Sequence, residues 1–163
     1  MPCNNAMITN VIKAHPDETV EVVLERLEKH SLRCLPVVND DGVLVGILSL
    51  KKILEELLPV SVTMPDGLQR LNFVVGATPG IAKRLHKLKP VKVKEVMEED
   101  IVVVHPETET WESFRLIVNY GSPIPVVEKE TGELVGLISE QSAIKEMHSV
   151  ITGLEKEGEL PSK

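Results

Sequence analysis

Val20, Val23, Leu24 and Leu27 fall at i, i+3, i+4 and i+7, the apolar stripe of a helix. Glu21, Glu25, Arg26 and Glu28 take its solvent side. Two short apolar runs, 35–38 and 43–49, flank Asn39-Asp40-Asp41-Gly42 and read as strand, turn and strand, with Gly42 free to take positive φ. Ser49 then stands as the N-cap of a second helix carrying Ile53, Leu54, Leu57 and Leu58. Ahead of these, residues 10–14 read as a short strand halted by Pro16, which has no N–H to give a ladder. The same order then returns. Residues 93–97 form its entrance and 101–104 its strand; Trp111, Phe114 and Val118 line its helix. Strands at 124–127 and 133–139 and a last helix with Ile144, Met147 and Ile151 complete it.

The return is a true repeat. Leu44-Val45-Gly46-Ile47-Leu48-Ser49 is matched ninety residues later by Leu134-Val135-Gly136-Leu137-Ile138-Ser139. His15-Pro16 and His105-Pro106 keep that spacing, as do Met7 and Met97. Pro36-Val37-Val38 is matched by Pro125-Val126-Val127 one residue early, and the longer turn before Gly132 restores the register. Length changes confined to loops are what a duplicated folded unit shows. The expected organisation is two β-α-β-β-α repeats, 1–58 and 94–152, joined by a partly helical connector, 59–93, and followed by a frayed tail, 153–163.

The connector is too long for a plain loop. Thr78-Pro79 has the character of a helix start, leading into Ile81, Leu85 and Leu88 on one face. Leu68, Leu71, Val74 and Val75 form a second apolar patch. Two readings stand: a helical cover over the core, or a docking surface for another copy or a partner.

Composition narrows the function. A net charge of −7 disfavours nucleic acid and anionic membrane surfaces as partners. The only basic region, Lys83 to Lys94, reads as a solvated face. Cys3 and Cys34 lack metal-site spacing, which fits a reduced cytoplasmic protein, and no apolar run approaches the ~18 residues of a membrane span. The histidines have no metal-site spacing either, so no metal is expected. No Walker loop, dinucleotide fingerprint, nucleophile elbow or His-Glu-x-x-His helix is present, so the chain reads as a binding module and not an enzyme.

The paired elements, Met-x8-Pro, (Leu/Ile)-Pro-Val-Val, the acidic turn with Gly, and Val-Gly-aliphatic-aliphatic-Ser, resemble a tandem pair of cystathionine-β-synthase (CBS) domains, a Bateman module. The resemblance implies an α/β (α+β) fold of two βαββα repeats about a pseudo-two-fold axis. It also implies clefts that sense AMP, ADP, ATP or S-adenosylmethionine. A homodimer with Trp111 and Phe114 at or near a helical interface is implied as well, acting on an unidentified regulated protein. The alternative is a ligand-free dimerisation or interaction scaffold.

Carried over position by position, the resemblance places Arg33, Ser49 and Lys52 at the phosphate end of one cleft. Met97, Glu99, Ile101, Gly121, Ser122, Ile124 and Pro125 would face them. The second cleft would have Ser139, Ser142 and Ser122 facing Thr9, Leu32, Leu35 and Pro36. Where the family's signature ends in Asp, this chain has Lys52 and Ser142. Lys52 offers only donors and Ser142 one hydroxyl. Ser49 and Ser139 each open a helix, where free N–H groups and the helix dipole attract phosphate. The first cleft is the favoured ligand site because it alone has cations, which a chain of net charge −7 needs to hold a polyphosphate. Ser49 and Ser139 as plain helix caps, and Lys52 and Arg33 as solvated side chains, are the simpler readings of the same residues.

Overall fold

The structure is a computed structural model that describes residues 2–58 and 78–161. The chain divides into two compact units, and the division cuts across the sequence repeats. The repeat-1 unit comprises residues 12–41 and 45–101. The repeat-2 unit comprises 1–11, 42–44 and 102–163. Each repeat's leading segment thus belongs to the unit built around the other repeat.

In the repeat-1 unit, helix α1 (Val20–Lys29) begins at Thr19, whose Oγ1 accepts the Val22 N–H at 3.4 Å. Strands β1 (Cys34–Val38) and β2 (Leu44–Ser49) pair in a two-stranded sheet, and α2 (Leu50–Leu57) follows directly. The turn between the strands places Gly42 at φ 79°, as its position requires. Val20, Val23, Leu27, Leu35, Val37, Leu48, Ile53 and Leu57 make an aliphatic core. Helix α3 (Thr78–Leu88) lays Ile81, Leu85 and Leu88 on that core, so the connector helix is a cover. The patch at Leu68, Leu71, Val74 and Val75 lies outside the described residues.

In the repeat-2 unit, α4 (Thr110–Tyr120), β3 (Ile124–Val127), β4 (Leu134–Ile138) and α5 (Glu140–Lys156) enclose Val104, Ile117, Ile124, Val126, Ile138 and Ala143, together with Cys3. β3 and β4 are antiparallel, with Ile124 opposite Ile138 and Val126 opposite Gly136, and a register shift follows at Val127.

Three expectations are corrected. Residues 10–14 and 101–104 are not continuous strands. Each contributes one parallel bridge, Ala14 to Val37 and Val104 to Val126, before the His-Pro pair turns the chain away. Trp111 and Val118 point outward, because α4 buries the neighbouring stripe of Thr110, Ser113 and Ile117. The tail is helical as far as Lys156, since α5 runs on past the last core contact.

The leading segments are held by their own short pairings. Glu98 donates to Ile47 O at 2.8 Å and accepts from Ile47 N–H at 2.9 Å. Ile8 does the same with Leu137, at 2.7 and 2.9 Å. Residues around Met97 therefore extend β2, and residues around Met7 extend β4.

Candidate functional site

Ser49 leaves β2 in an extended conformation (φ −119°, ψ 155°), and its Oγ accepts the Lys52 N–H at 3.0 Å. The Leu50 N–H is taken by Arg33 O at 2.9 Å, which ties the Arg33 loop to the start of α2. Strand β2 also carries the pairing that brings in Met97 and Glu99 on either side of Glu98. Arg33, Ser49, Lys52, Met97, Glu99 and Ile101 therefore share one compact unit. Arg33 and Glu99 are exposed, while Lys52, Met97 and Ile101 are half-buried.

One neighbour was not picked out from the sequence. Glu56 approaches Lys52 Nζ with Oε1 at 3.5 Å, one helical turn on. The i, i+4 spacing of Lys52 and Glu56 was the signal available for it. The Lys52 ammonium thus already has a partial counter-charge.

The remaining residues assigned to the first cleft lie in the repeat-2 unit. Ile124 and Pro125 are both buried within β3, and Ile124 packs in the core of that unit. Gly121 closes α4 at φ 87°, and Ser122 is half-buried after it.

Around Ser139 the arrangement differs. Its Oγ accepts the Ser142 N–H at 3.1 Å, and Ser142 Oγ accepts the Ser139 N–H at 2.9 Å, a reciprocal capping box. The Ser142 hydroxyl also donates to Ser139 O at 3.1 Å. Its hydrogen is thus spent on the chain itself. Thr9, exposed beside the Ile8–Leu137 pairing, belongs to the same unit as these serines. Leu32, Leu35 and Pro36 belong to the repeat-1 unit, where Leu35 and Pro36 are buried in β1.

The recurring His-Pro pairs serve the local chain. The His15 N–H donates to Glu18 Oε1 at 2.8 Å, and Glu18 is gripped by both Arg26 nitrogens, at 2.9 and 2.6 Å. Hydrogen bonds from Arg26, then from His15, hold the Glu18 carboxyl below its ordinary pKa, against the opposing effect of burial. In the second repeat, Thr108 Oγ1 takes the His105 N–H at 3.0 Å in Glu18's place. His15 Nε2 lies 2.9 Å from Asp40, and His105 Nδ1 lies 2.9 Å from Val127 O. Cys3 is buried, with Sγ 3.1 Å from His105 O, and burial pushes its thiol pKa up. Among the described residues, no three His, Cys, Asp or Glu side chains converge as metal ligands, and no helix is long and apolar enough to cross a membrane.

Comparison with known proteins decides the family. The CBS domain profile matches twice, at residues 3–59 and 93–149. The chain belongs to the CBS domain family. This CBS pair is 26% identical over 142 residues to an uncharacterized protein of Methanocaldococcus jannaschii, spanning 82% of this chain and 84% of that one. Among solved structures it resembles CBSX2 in complex with AMP, at TM-score 0.66 and 22% identity over 91% of this chain and 97% of that one. CBSX2 is a CBS-pair protein of Arabidopsis thaliana. It also resembles the CBS domain pair of protein MJ0100 in complex with 5′-methylthioadenosine and S-adenosyl-L-methionine, at TM-score 0.61 and 20% identity over 90% and 99% of the two chains. The α+β fold with two CBS repeats is the shared feature.

Proposed function

We propose that this CBS pair is a regulatory module that senses an adenine ligand, AMP, ADP, ATP or S-adenosylmethionine, and has no catalytic activity of its own. The observation that carries the reading is the meeting, within one unit, of the Ser49 helix start, Lys52 and the Met97–Glu99 edge of β2. The Leu50 and Lys52 N–H groups are already taken by Arg33 O and Ser49 Oγ, so the start of α2 attracts phosphate chiefly through the helix dipole. Lys52 adds mobile charge, and Met97 and Ile101 add apolar surface. The complexes of CBSX2 with AMP and of the MJ0100 pair with S-adenosyl-L-methionine lend support from the same fold.

The reading includes a homodimer that acts on a separate regulated protein in the cytoplasm. The exposed helical side chains Trp111 (65%), Val118 (83%) and Ile144 (58%) support the dimer. A second reading, a scaffold without ligand, is favoured by one observation: Ser142 Oγ is committed to the α5 cap.

A thermal-shift panel of AMP, ADP, ATP and S-adenosylmethionine tests the first reading. A ligand at a hundred times its Kd adds about 2.7 kcal/mol to stability and raises the melting temperature. No shift with any of the four at millimolar concentration leaves the scaffold.

A further inference from the structure

The two repeats have diverged in chemistry along one helix face. Glu21, Glu25 and Glu28 of α1 occupy the positions that Trp111, Arg115 and Val118 occupy in α4, each ninety residues on. All six side chains are exposed. A column of three carboxylates in one repeat thus answers an aromatic, a cation and an aliphatic side chain in the other. The fold does not demand either set, since the buried positions of both helices lie on other faces.

Beside the α1 column, the repeat-1 unit has a groove of about 550 Å³. Its floor is apolar, from Leu24, Leu27, Leu50 and Leu85, and its rim carries three carboxylates, Glu21, Glu25 and Glu28, against one cation, Lys89. Among the described residues none of these three glutamates has an ion-pair partner. In the repeat-2 unit Trp111 and Val118 stand out from α4 with Arg115 between them, where it makes only a long contact of 3.9 Å to Glu112.

We infer that the groove beside α1 in one copy of the chain receives the Trp111–Val118 ridge of α4 from a second copy, with Arg115 against the glutamate column. This rests on the homodimer reading and deepens it by fixing which surfaces meet. Pairing α1 with α1 would set two acidic columns against each other, and like charges in contact repel. Pairing α4 with α4 would leave the leucine floor uncovered and set Arg115 against Arg115. Only the crossed pairing matches apolar ridge to apolar groove and cation to carboxylates. Trp and Arg are also the residue types that dominate binding energy at such contacts.

The test is a charge-swap cycle on the full chain, read by sedimentation equilibrium with circular dichroism melts to show each variant folded. Glu25→Arg and Arg115→Glu should each weaken the dimer at least tenfold in Kd. The double variant should return to within about threefold of wild type, because contacting residues couple in such cycles. Trp111→Phe gives a second readout that keeps the ring and the fold, and should weaken the dimer several-fold. Trp111 is the chain's single tryptophan, so dilution of wild type through the dimer Kd should shift its emission to the red. A dimer that ignores both single swaps, or is not rescued by the double, overturns the crossed pairing while the homodimer stands. A wild-type chain that stays near 18.0 kDa at ~100 µM, well above typical working affinities, overturns both.

Discussion

Met97 packs onto Gly46 so closely that a Cβ on Gly46 would lie 2.7 Å from the Met97 sulfur and 2.9 Å from Glu98 O. Gly136 stands in the same relation to Met7, with Ile8 O 2.7 Å from its would-be Cβ. The methionine could swing aside, but the carbonyls are held by the strand pairings of Glu98 with Ile47 and of Ile8 with Leu137. Gly46→Ala should therefore cost about 1–3 kcal/mol, the usual penalty for overpacking. Gly136→Ala should cost about the same. Adding Met97→Ala to Gly46→Ala should not restore stability, because the backbone clash remains. Full recovery in urea melts would show that only the side chain was in the way.

The proposed ligand site is tested at Lys52. Charge-assisted hydrogen bonds are worth roughly 1.5–3 kcal/mol, and the Lys52–Glu56 contact offsets some of that. Lys52→Ala should weaken ATP about tenfold or more and leave adenosine, which has no phosphate, nearly unchanged. Titration calorimetry with both ligands separates the cases. Equal losses would mean that Lys52 supports the local fold instead of the phosphates.

Ser142→Ala should act on stability and not on ATP. It removes one half of the capping box, worth about 1 kcal/mol at a helix start. A melt shifted downward with an unchanged ATP isotherm is the expected pair of results; a weakened isotherm with an unchanged melt would move the site to the second repeat.

The Arg26–Glu18 pair gives the protein an acid-sensitive contact. The folded-state pKa of Glu18 is lowered, so its contribution is complete above the unfolded value of about 4.3 and is lost as pH falls through the folded one. Its side chain is about a quarter exposed, so solvent screening reduces the gain. Glu18→Gln should cost about 1 kcal/mol at pH 7, discounted for that screening from the value of a charged hydrogen bond. The gap from wild type should narrow toward zero below about pH 4. Urea midpoints at pH 7 and pH 3.5 measure both quantities, and a gap that widened in acid would reverse the sign assigned to Glu18.

Because Ile81, Leu85 and Leu88 of α3 pack on the core, replacing all three with Ser should lower stability by several kcal/mol, about 1–3 for each half-buried aliphatic side chain lost. A triple variant that melts like wild type would instead make α3 a free surface.

The helices and hairpins were legible because each has its own local signal. The Val20–Leu27 stripe, the Asp41-Gly42 turn and the Ser49 cap need no distant partner to be read. What escaped was pairing at a distance. Nothing in the residues around Met7 tells whether they extend β2 or β4, since Gly46 and Gly136 sit in nearly the same local sequence. The outward turn of Trp111 escaped for a related reason. Its stripe with Phe114 and Val118 satisfies helical spacing, but Thr110, Ser113 and Ile117 satisfy it too, and packing chose the less apolar one. At the site, the Ser49 start was readable, while the engagement of Ser142 depends on which way one hydroxyl turns.

Because each Met-bearing segment extends the sheet of the opposite repeat, one repeat alone is never finished by its own sequence. A protein made of a single such repeat would hold out an arm that fits its neighbour's Gly-lined strand edge, and would lack the arm that fits its own. Two such molecules would be driven to trade arms, an exchange of identical elements between protomers. Joining two copies in one polypeptide makes that trade internal. The segment around Met7, made before the strand that holds Gly136, then waits for that strand to appear.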